Sequence, residues 1–281
     1  MKLPDGPAGT AARSGAETRA HRLLCRVKVK LYSIAVSHPA RAAGLMLRYK
    51  GIEHDLVNLT PGSQRLLLRL HGFRRATVPA LKIDGRRVQG SLQVSRALDA
   101  LQREPPLFPA SPGERGAVEA AEHWGEAVLQ PLPRNIFRWC VARDRELRRW
   151  LAEMAGMPLP SLAASLIKPL GWYFARVVSG ATDESIRAQL AALPDQLDHV
   201  ERLIAAGVIG GDQPNAADFQ IATSIRVLLN FPQLRPLIDS RPAAELAMRI
   251  APRFGALLPI KLPAEWVPQP ASPWPGSDIS K

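Results

Sequence analysis

Four prolines, Pro105, Pro106, Pro109 and Pro112, crowd into residues 103–113 and divide the chain into two stretches of different character. Before them, short runs rich in β-formers alternate with helical patterns. After them the β signals vanish, and apolar residues recur at helical spacing. A chain patterned this way is expected to fold as a small α/β unit followed by an all-helical one, with residues 104–113 as the interdomain linker.

Regular structure is expected to begin near Val27, where residues 27–32 alternate apolar and polar side chains as a strand does. Ser37, His38 and Pro39 mark a helix start, and a helix over residues 40–50 stops at Gly51. Residues 53–60 read as a second strand and residues 61–70 as a short helix. Residues 76–83 read as a third strand, Asp84-Gly85 as a tight hairpin turn, and residues 86–89 as the returning strand. Ser91 opens a helix carrying Leu92, Val94, Leu98 and Leu101. The order β-α-β-α-β-β-α is thioredoxin-like: a right-handed βαβ unit followed by a hairpin and a covering helix.

The second stretch predicts a bundle of about six helices. They cover residues 114–130, ending at Pro131, then 144–155, 162–178, 183–206, 215–229 and 241–257. Within 183–206, Ile186, Leu190, Leu193, Leu197, Val200 and Ile204 form one apolar stripe, and Pro194 should kink or divide it. Asn215 and Asp218 have the spacing of a capping box, a folding device with no chemistry of its own. Residues 1–26, small and polar, read as a disordered tail, and residues 263–281 as a Pro-rich extended one.

Composition excludes several classes. With 46% hydrophobic and 22% charged residues over 281 positions, the chain can bury a core. The run from Leu159 to Val178 is the longest apolar one, but Lys168, Pro169 and Arg176 break it, short of the about 20 clean residues of a membrane span. The net charge of +12 comes from scattered arginines. It favours nonspecific anionic contacts, yet no nucleic-acid motif accompanies it, so no specific nucleic-acid partner is expected. Cys25 and Cys140 have neither disulfide-framework nor zinc spacing, and the six histidines are dispersed, so no metal is expected. Reduced thiols and the lack of a secretory leader point to the cytoplasm.

Three places carry a chemical signal. Ser37 stands at a helix N-terminus, where its hydroxyl can cap the helix or donate to a thiolate. Val78-Pro79 lies in an apparent strand, where proline cannot donate a ladder bond. A cis bond there resolves the conflict and exposes the Val78 backbone to a ligand, whereas an edge strand or plain turn would leave it without a role. Ser91 follows a strand and opens a helix, so it is either a cap or, with its N–H, a holder of a carboxylate.

These pieces, in this order, resemble the glutathione transferase superfamily. The carriers are Leu31-Tyr32-Ser33, then Ser37-His38-Pro39-Ala40-Arg41, Val78-Pro79-Ala80-Leu81, Gly90-Ser91 and the Asn215/Asp218 box, and the likeness covers residues 27–258. The resemblance implies a thioredoxin-like thiol-binding domain over residues 27–103 and a helical domain over 114–262. It implies that Ser37 activates the thiol of glutathione or of another low-molecular-weight thiol used as co-substrate. Val78 and Pro79 would pair with the cysteinyl backbone, and Ser91 would bind the γ-glutamyl carboxylate. The second substrate would be a small-molecule electrophile in an apolar pocket, with Trp124, Phe137 and Trp139 as candidates for its lining or for the core. Members often pair as homodimers, which makes that an expected assembly. There are departures: Leu92 and Ala76 stand where serine-type members are often polar, and a third is at Gly90. The family usually places Glu, Gln or Asp just before the matching serine, to bind the γ-glutamyl amino group. Here Gly90 stands there, and Gln89 offers an amide one position early, on the opposite side of a strand. The rival expectation is a noncatalytic binding or scaffold protein on the same fold.

Overall fold

The computed structural model of the protein describes residues 27–60, 62–253 and 260–269. The expected N-terminal tail with Cys25, Pro61 at the start of the second helix, residues 254–259 and the end of the Pro-rich tail lie outside the described residues.

The first domain is a four-stranded mixed sheet in the order β2-β1-β3-β4, built from β1 (Val29–Ser33), β2 (Asp55–Asn58), β3 (Ala80–Ile83) and β4 (Arg86–Gln89). β1 pairs parallel with β2 and antiparallel with β3, with Leu31 opposite Leu81 and Tyr32 opposite Ala80. Alternation along the strands gives the sheet two faces. Leu31, Leu81 and Ile83 turn toward α1 (His38–Tyr49) and α3 (Ser91–Leu101), whose Met46, Leu47, Val94 and Leu98 are buried with them. Tyr32 and Ala80 turn the other way, onto Leu68 of α2 (Gln64–Leu70) and onto Phe73. Each fully buried aliphatic side chain contributes about 1.5–3 kcal/mol, so the register that keeps these two sets apart is strongly specified. At the hairpin, Asp84 has φ 45° and Gly85 φ 88°, as a two-residue primed turn requires. The Asp84 carboxylate accepts from the Lys28 N–H at 2.8 Å.

Helices make up the rest. α4 (Pro112–Trp124) continues through a π-helical turn (Gly125–Leu129) into α5 (Pro131–Arg143), followed by α6 (Arg145–Met154) and α7 (Pro160–Tyr173). A second π turn (Phe174–Val178) leads to α8 (Asp183–Ala191), α9 (Leu193–Ala205), α10 (Ala216–Leu228), the short α11 (Arg235–Ile238) and α12 (Pro242–Ile250). α10 is the central post: all but one of its residues are buried, and it packs against α1, α4 and α12. Its start is closed by the expected capping box. The Asn215 side chain accepts from the Ala217 and Asp218 N–H groups, and the Asp218 carboxylate accepts from the N–H of Asn215 at 2.9 Å and of Gly210 at 2.7 Å.

Several boundaries differ from the sequence expectation for identifiable reasons. Pro131 does not end a helix; it occupies the first turn of α5, where a missing N–H costs nothing. That helix escaped the sequence reading altogether. Pro194 does divide its segment, into α8 and α9. The proline-rich connection is packed rather than loose. Leu107 and Phe108 are buried, the Leu107 N–H donates to the Asp99 carboxylate, and its carbonyl accepts from the Ala216 N–H. The fully buried Lys50 donates to the Pro105 carbonyl at 2.6 Å. The third strand starts at Ala80, not at Ala76, so Pro79 precedes the ladder instead of interrupting it. The last helix ends at Ile250, and its expected end at Leu257 lies outside the described residues. No helix among the described residues is long and apolar enough to cross a membrane.

Candidate functional site

The strand register brings the three signalled places to one edge of the sheet. β1 ends at Ser33, β3 begins at Ala80 opposite Tyr32, and β4 ends at Gln89 opposite Ala80. The loop to Ser37, the Val78-Pro79 bond and the Gly90-Ser91 step therefore leave the sheet at the same edge. α1 and α3, which begin at the first and last of these, pack together on one face. The N-termini of both helices thus open on the same side.

Ser37 is the N-cap of α1. Its Oγ accepts from the Ala40 N–H at 3.3 Å, and its own N–H donates to the Ile34 carbonyl at 2.8 Å. The cap consumes a lone pair and not the hydroxyl proton, so capping and donation to a thiolate are compatible. His38, the next residue, is buried in the first turn of α1, and its Nε2 has no partner. Burial, with the charge of Arg134 acting in the same sense and a hydrogen bond to the Gln130 backbone against it, pulls its pKa down from 6.5 to about 3. The imidazole is neutral at physiological pH. A cation beside Ser37 is therefore not supplied by its neighbour.

The Val78-Pro79 bond is cis. The backbone of Val78 makes no hydrogen bond among the described residues, while the Pro79 carbonyl accepts from the Gly90 N–H at 3.0 Å and ties this turn to the start of α3. Gln89 braces the same turn. Its amide nitrogen donates to the Arg75 and Thr77 carbonyls at 2.7 and 2.8 Å, and its amide oxygen accepts from the Arg75 N–H at 3.0 Å. The Gln89 side chain is thus engaged with the loop that presents Val78.

Gly90 is the N-cap of α3, with φ 106° and ψ 150° and no side chain to close the helix end. That conformation favours glycine. A Cβ placed there would meet the amide oxygen of Gln93 at 2.4 Å and Nη1 of Arg75 at 3.9 Å. Ser91, at the first helical position, is 6% exposed, and its hydroxyl has no hydrogen-bond partner among the described residues. Arg75 and Gln93 escaped the sequence reading because neither belongs to a helix-start or strand-end pattern. The one signal available was that Gln93 follows Gly90 at the cap-plus-three spacing of a capping box.

The aromatic candidates divide. Trp139 is a core residue whose Nε1 donates to Asp183 at 3.0 Å and whose ring packs on Trp266. Trp124 lies against His199 with ring centroids 4.2 Å apart, and Phe137 is half-buried against the core. Cys140 is buried, and its thiol pKa is pushed up to about 12, chiefly by desolvation, which makes it unreactive. A cavity of about 620 Å³ opens among Arg143, Trp172, Arg176, Thr182, Asp183 and Glu184, away from the sheet edge. Among the described residues no group of three or more His, Cys, Asp or Glu side chains could hold a metal.

Residues 31–106, which hold the whole sheet edge, match the family of the glutathione S-transferase N-terminal domain. Solved structures are similar over most of the chain. A glutathione S-transferase from Rhodospirillum rubrum F11 is 18% identical, with 85% of this chain and 97% of that one covered at a TM-score of 0.53. The β-etherase LigF from Sphingobium sp. strain SYK-6 is 19% identical, with 80% and 95% covered at 0.57. A glutathione S-transferase from Methylobacterium radiotolerans JCM 2831, solved in complex with glutathione sulfonate, is 22% identical, with 84% and 97% covered at 0.51. Residues 31–106 carry a match to the glutathione S-transferase N-terminal domain, and the chain as a whole shares the two-part fold of these solved structures.

Proposed function

We propose that the protein is a glutathione transferase-like enzyme that joins a low-molecular-weight thiol to a small electrophile. The observation that carries this reading is the state of three groups at one sheet edge: among the described residues the Ser37 hydroxyl proton, the Val78 backbone and the Ser91 hydroxyl have no hydrogen-bond partner. A thiol compound lying along this edge can pair its backbone with Val78 beside the cis-proline and set its far carboxylate at the start of α3. Its sulfur then sits near the N-terminus of α1. There the Ser37 O–H and the helix dipole stabilise the thiolate, lowering the thiol pKa and raising the nucleophilic fraction near neutral pH. The S–H proton leaves to solvent, the sulfur lone pair forms a bond to the electrophilic carbon, and that carbon's bonding pair departs with its leaving group.

A purified-protein assay with glutathione and a model electrophile, wild type against Ser37→Ala, tests the reading. Turnover above background that falls at least tenfold in the variant supports it, and equal background rates for both reject it. Gly90, which offers no side chain to a ligand amine, favours the alternative of a noncatalytic binding protein on the same fold. That alternative predicts thiol binding without turnover. As part of the same proposal we place the protein in the cytoplasm as a homodimer, to be tested by fractionation and by sedimentation equilibrium.

A further inference from the structure

We propose that α7 and the π turn after it form a surface that rests on an anionic lipid bilayer, with its apolar side chains in the acyl boundary and its basic ones against the lipid phosphates. No step of the thiol chemistry above depends on this surface.

The helix is built inside out. Toward the protein it turns small residues. Ala163, Ala164, Gly171 and Ala175 are buried, and a Cβ at Gly171 would meet Val141 of α5 at 3.0 Å from Cγ1 and 3.3 Å from the carbonyl oxygen. Toward solvent it turns large ones. Leu162, Leu166 and Leu170 are 56%, 70% and 42% exposed, and their spacing of four, continued by Tyr173, draws one stripe along the helix. Val177 and Val178 extend the exposed apolar surface through the turn. A surface helix ordinarily keeps its apolar stripe for the core. Here the small residues already make the contact with α5 and α6, so the leucines are left over. More than half of the exposed large hydrophobic side chains among the described residues lie in residues 154–178. Single exposed leucines need no explanation, whereas a contiguous patch marks an interaction surface.

Charge selects the occupant. Residues 154–182 contain Lys168 and Arg176 and no acid, and both cations are exposed. The nearest acids on either side are engaged: Glu153 pairs with Arg149 at 3.2 Å, and Asp183 pairs with Arg143. The neighbouring surface has the same character. The turn before α2 touches α7, since a Cβ at Gly62 would lie 3.0 Å from Leu170 Cδ2. α2 itself exposes Leu66 and Leu70 beside Arg65 and Arg69, within a stretch, residues 56–83, that holds no acid. A second copy docking by two-fold symmetry would set this surface against itself and bring like charges together. An anionic bilayer attracts every cation on it, and burial of the apolar stripe adds to that attraction. Lys168, Pro169 and Arg176 interrupt the stretch, so it lies on the bilayer and does not cross it.

Flotation of the full-length protein tests this, with vesicles of phosphatidylcholine plus phosphatidylglycerol and with vesicles of phosphatidylcholine alone. Wild type is expected to bind the mixed vesicles at least tenfold more tightly than the neutral ones. Leu162→Gln/Leu166→Gln, at two exposed positions, is expected to weaken that binding at least tenfold with an unchanged melting temperature. Lys168→Glu/Arg176→Glu should weaken it by about fivefold or more per cation. Arg103→Glu/Arg202→Glu, which removes as much charge from exposed positions after α3 and on α9, should change it less than threefold. Absence of wild-type binding to the mixed vesicles overturns the proposal, as does a leucine variant that binds like wild type. An equal loss from the two charge-reversed variants also overturns it, by assigning the attraction to net charge alone. Wild type that ignores lipid but dissociates at sedimentation equilibrium when the two leucines are replaced overturns it in favour of a second copy on this face.

Discussion

Two helix starts in this molecule are made from similar materials and finished in opposite ways. At α10, Asn215 and Asp218 return every polar atom to the backbone: two N–H groups to the asparagine side chain, two more to the aspartate. At α3, Gly90 contributes no side chain, and among the described residues the Ser91 hydroxyl has no hydrogen-bond partner and the Arg75 guanidinium no ion pair. The comparison separates folding from binding on physical grounds. A helix end that satisfies itself stabilises the chain and has little left for a ligand. One left open has its first N–H groups free for water or a ligand. The start of α1 lies between them, because Ser37 uses a lone pair for the cap and keeps its proton.

Breaking the closed end should have the largest effect. Asp218→Ala leaves the N–H groups of Gly210 and Asn215 unpaired at the start of a helix buried in all but one residue, and the charge-assisted bonds lost point to a loss of about 3 kcal/mol. Urea unfolding should report this as a lower midpoint at an unchanged slope. The second effect belongs to His38, next to the intermediate end. Its folded pKa, about 3, lies below the unfolded value of 6.5. As the pH falls below 6.5 the unfolded chain therefore takes up a proton that the folded chain refuses. Stability is full above that pH and falls by up to about 1.4 kcal/mol per pH unit until the folded imidazole itself titrates near 3. Unfolding at pH 5 against pH 7.5 should show about 2 kcal/mol from this group, and His38→Gln should flatten that part of the dependence.

How far these ends were legible in the sequence follows the same division. The closed end could be read outright, because the Asn215/Asp218 spacing is local and contains its own partners. The strand order, the hairpin at Asp84-Gly85 and the break at Pro194 were legible for the same reason: turn chemistry and periodicity are short-range signals. The open end was legible only in its outline. Ser91 could be placed after a strand, but Arg75 comes near the neighbouring Gly90 from a loop held by Gln89, and no spacing announces such an approach. Pro131 misled because a proline that ends one helix and a proline that begins the next look alike until the π turn before it is seen. The connection around Leu107 misled because prolines mark a turn without telling whether apolar neighbours pack into the core.

The remaining predictions sharpen the comparison by making stability and function move separately. Ser37→Ala removes the cap bond of α1 and should cost about 1 kcal/mol of stability, together with the loss of turnover described above. Ser37→Thr keeps an oxygen at the cap and should recover most of the stability.

Ser91→Ala should do the least to the fold and the most to test what an open helix end is for. A hydroxyl with no hydrogen-bond partner among the described residues has no such bond to lose. Alanine is a better helix former than serine at the position it would occupy, so the unfolding midpoint should stay within about 0.5 kcal/mol of wild type, or rise slightly. The affinity for a carboxylate-ended thiol should nevertheless fall about tenfold, the equivalent of one lost hydrogen bond of about 1.4 kcal/mol. A stability loss comparable to that of Asp218→Ala would show that Ser91 closes its helix after all, and the contrast between the two ends would disappear. A loss of binding without a loss of stability is the pairing that only a group held open for a ligand can give.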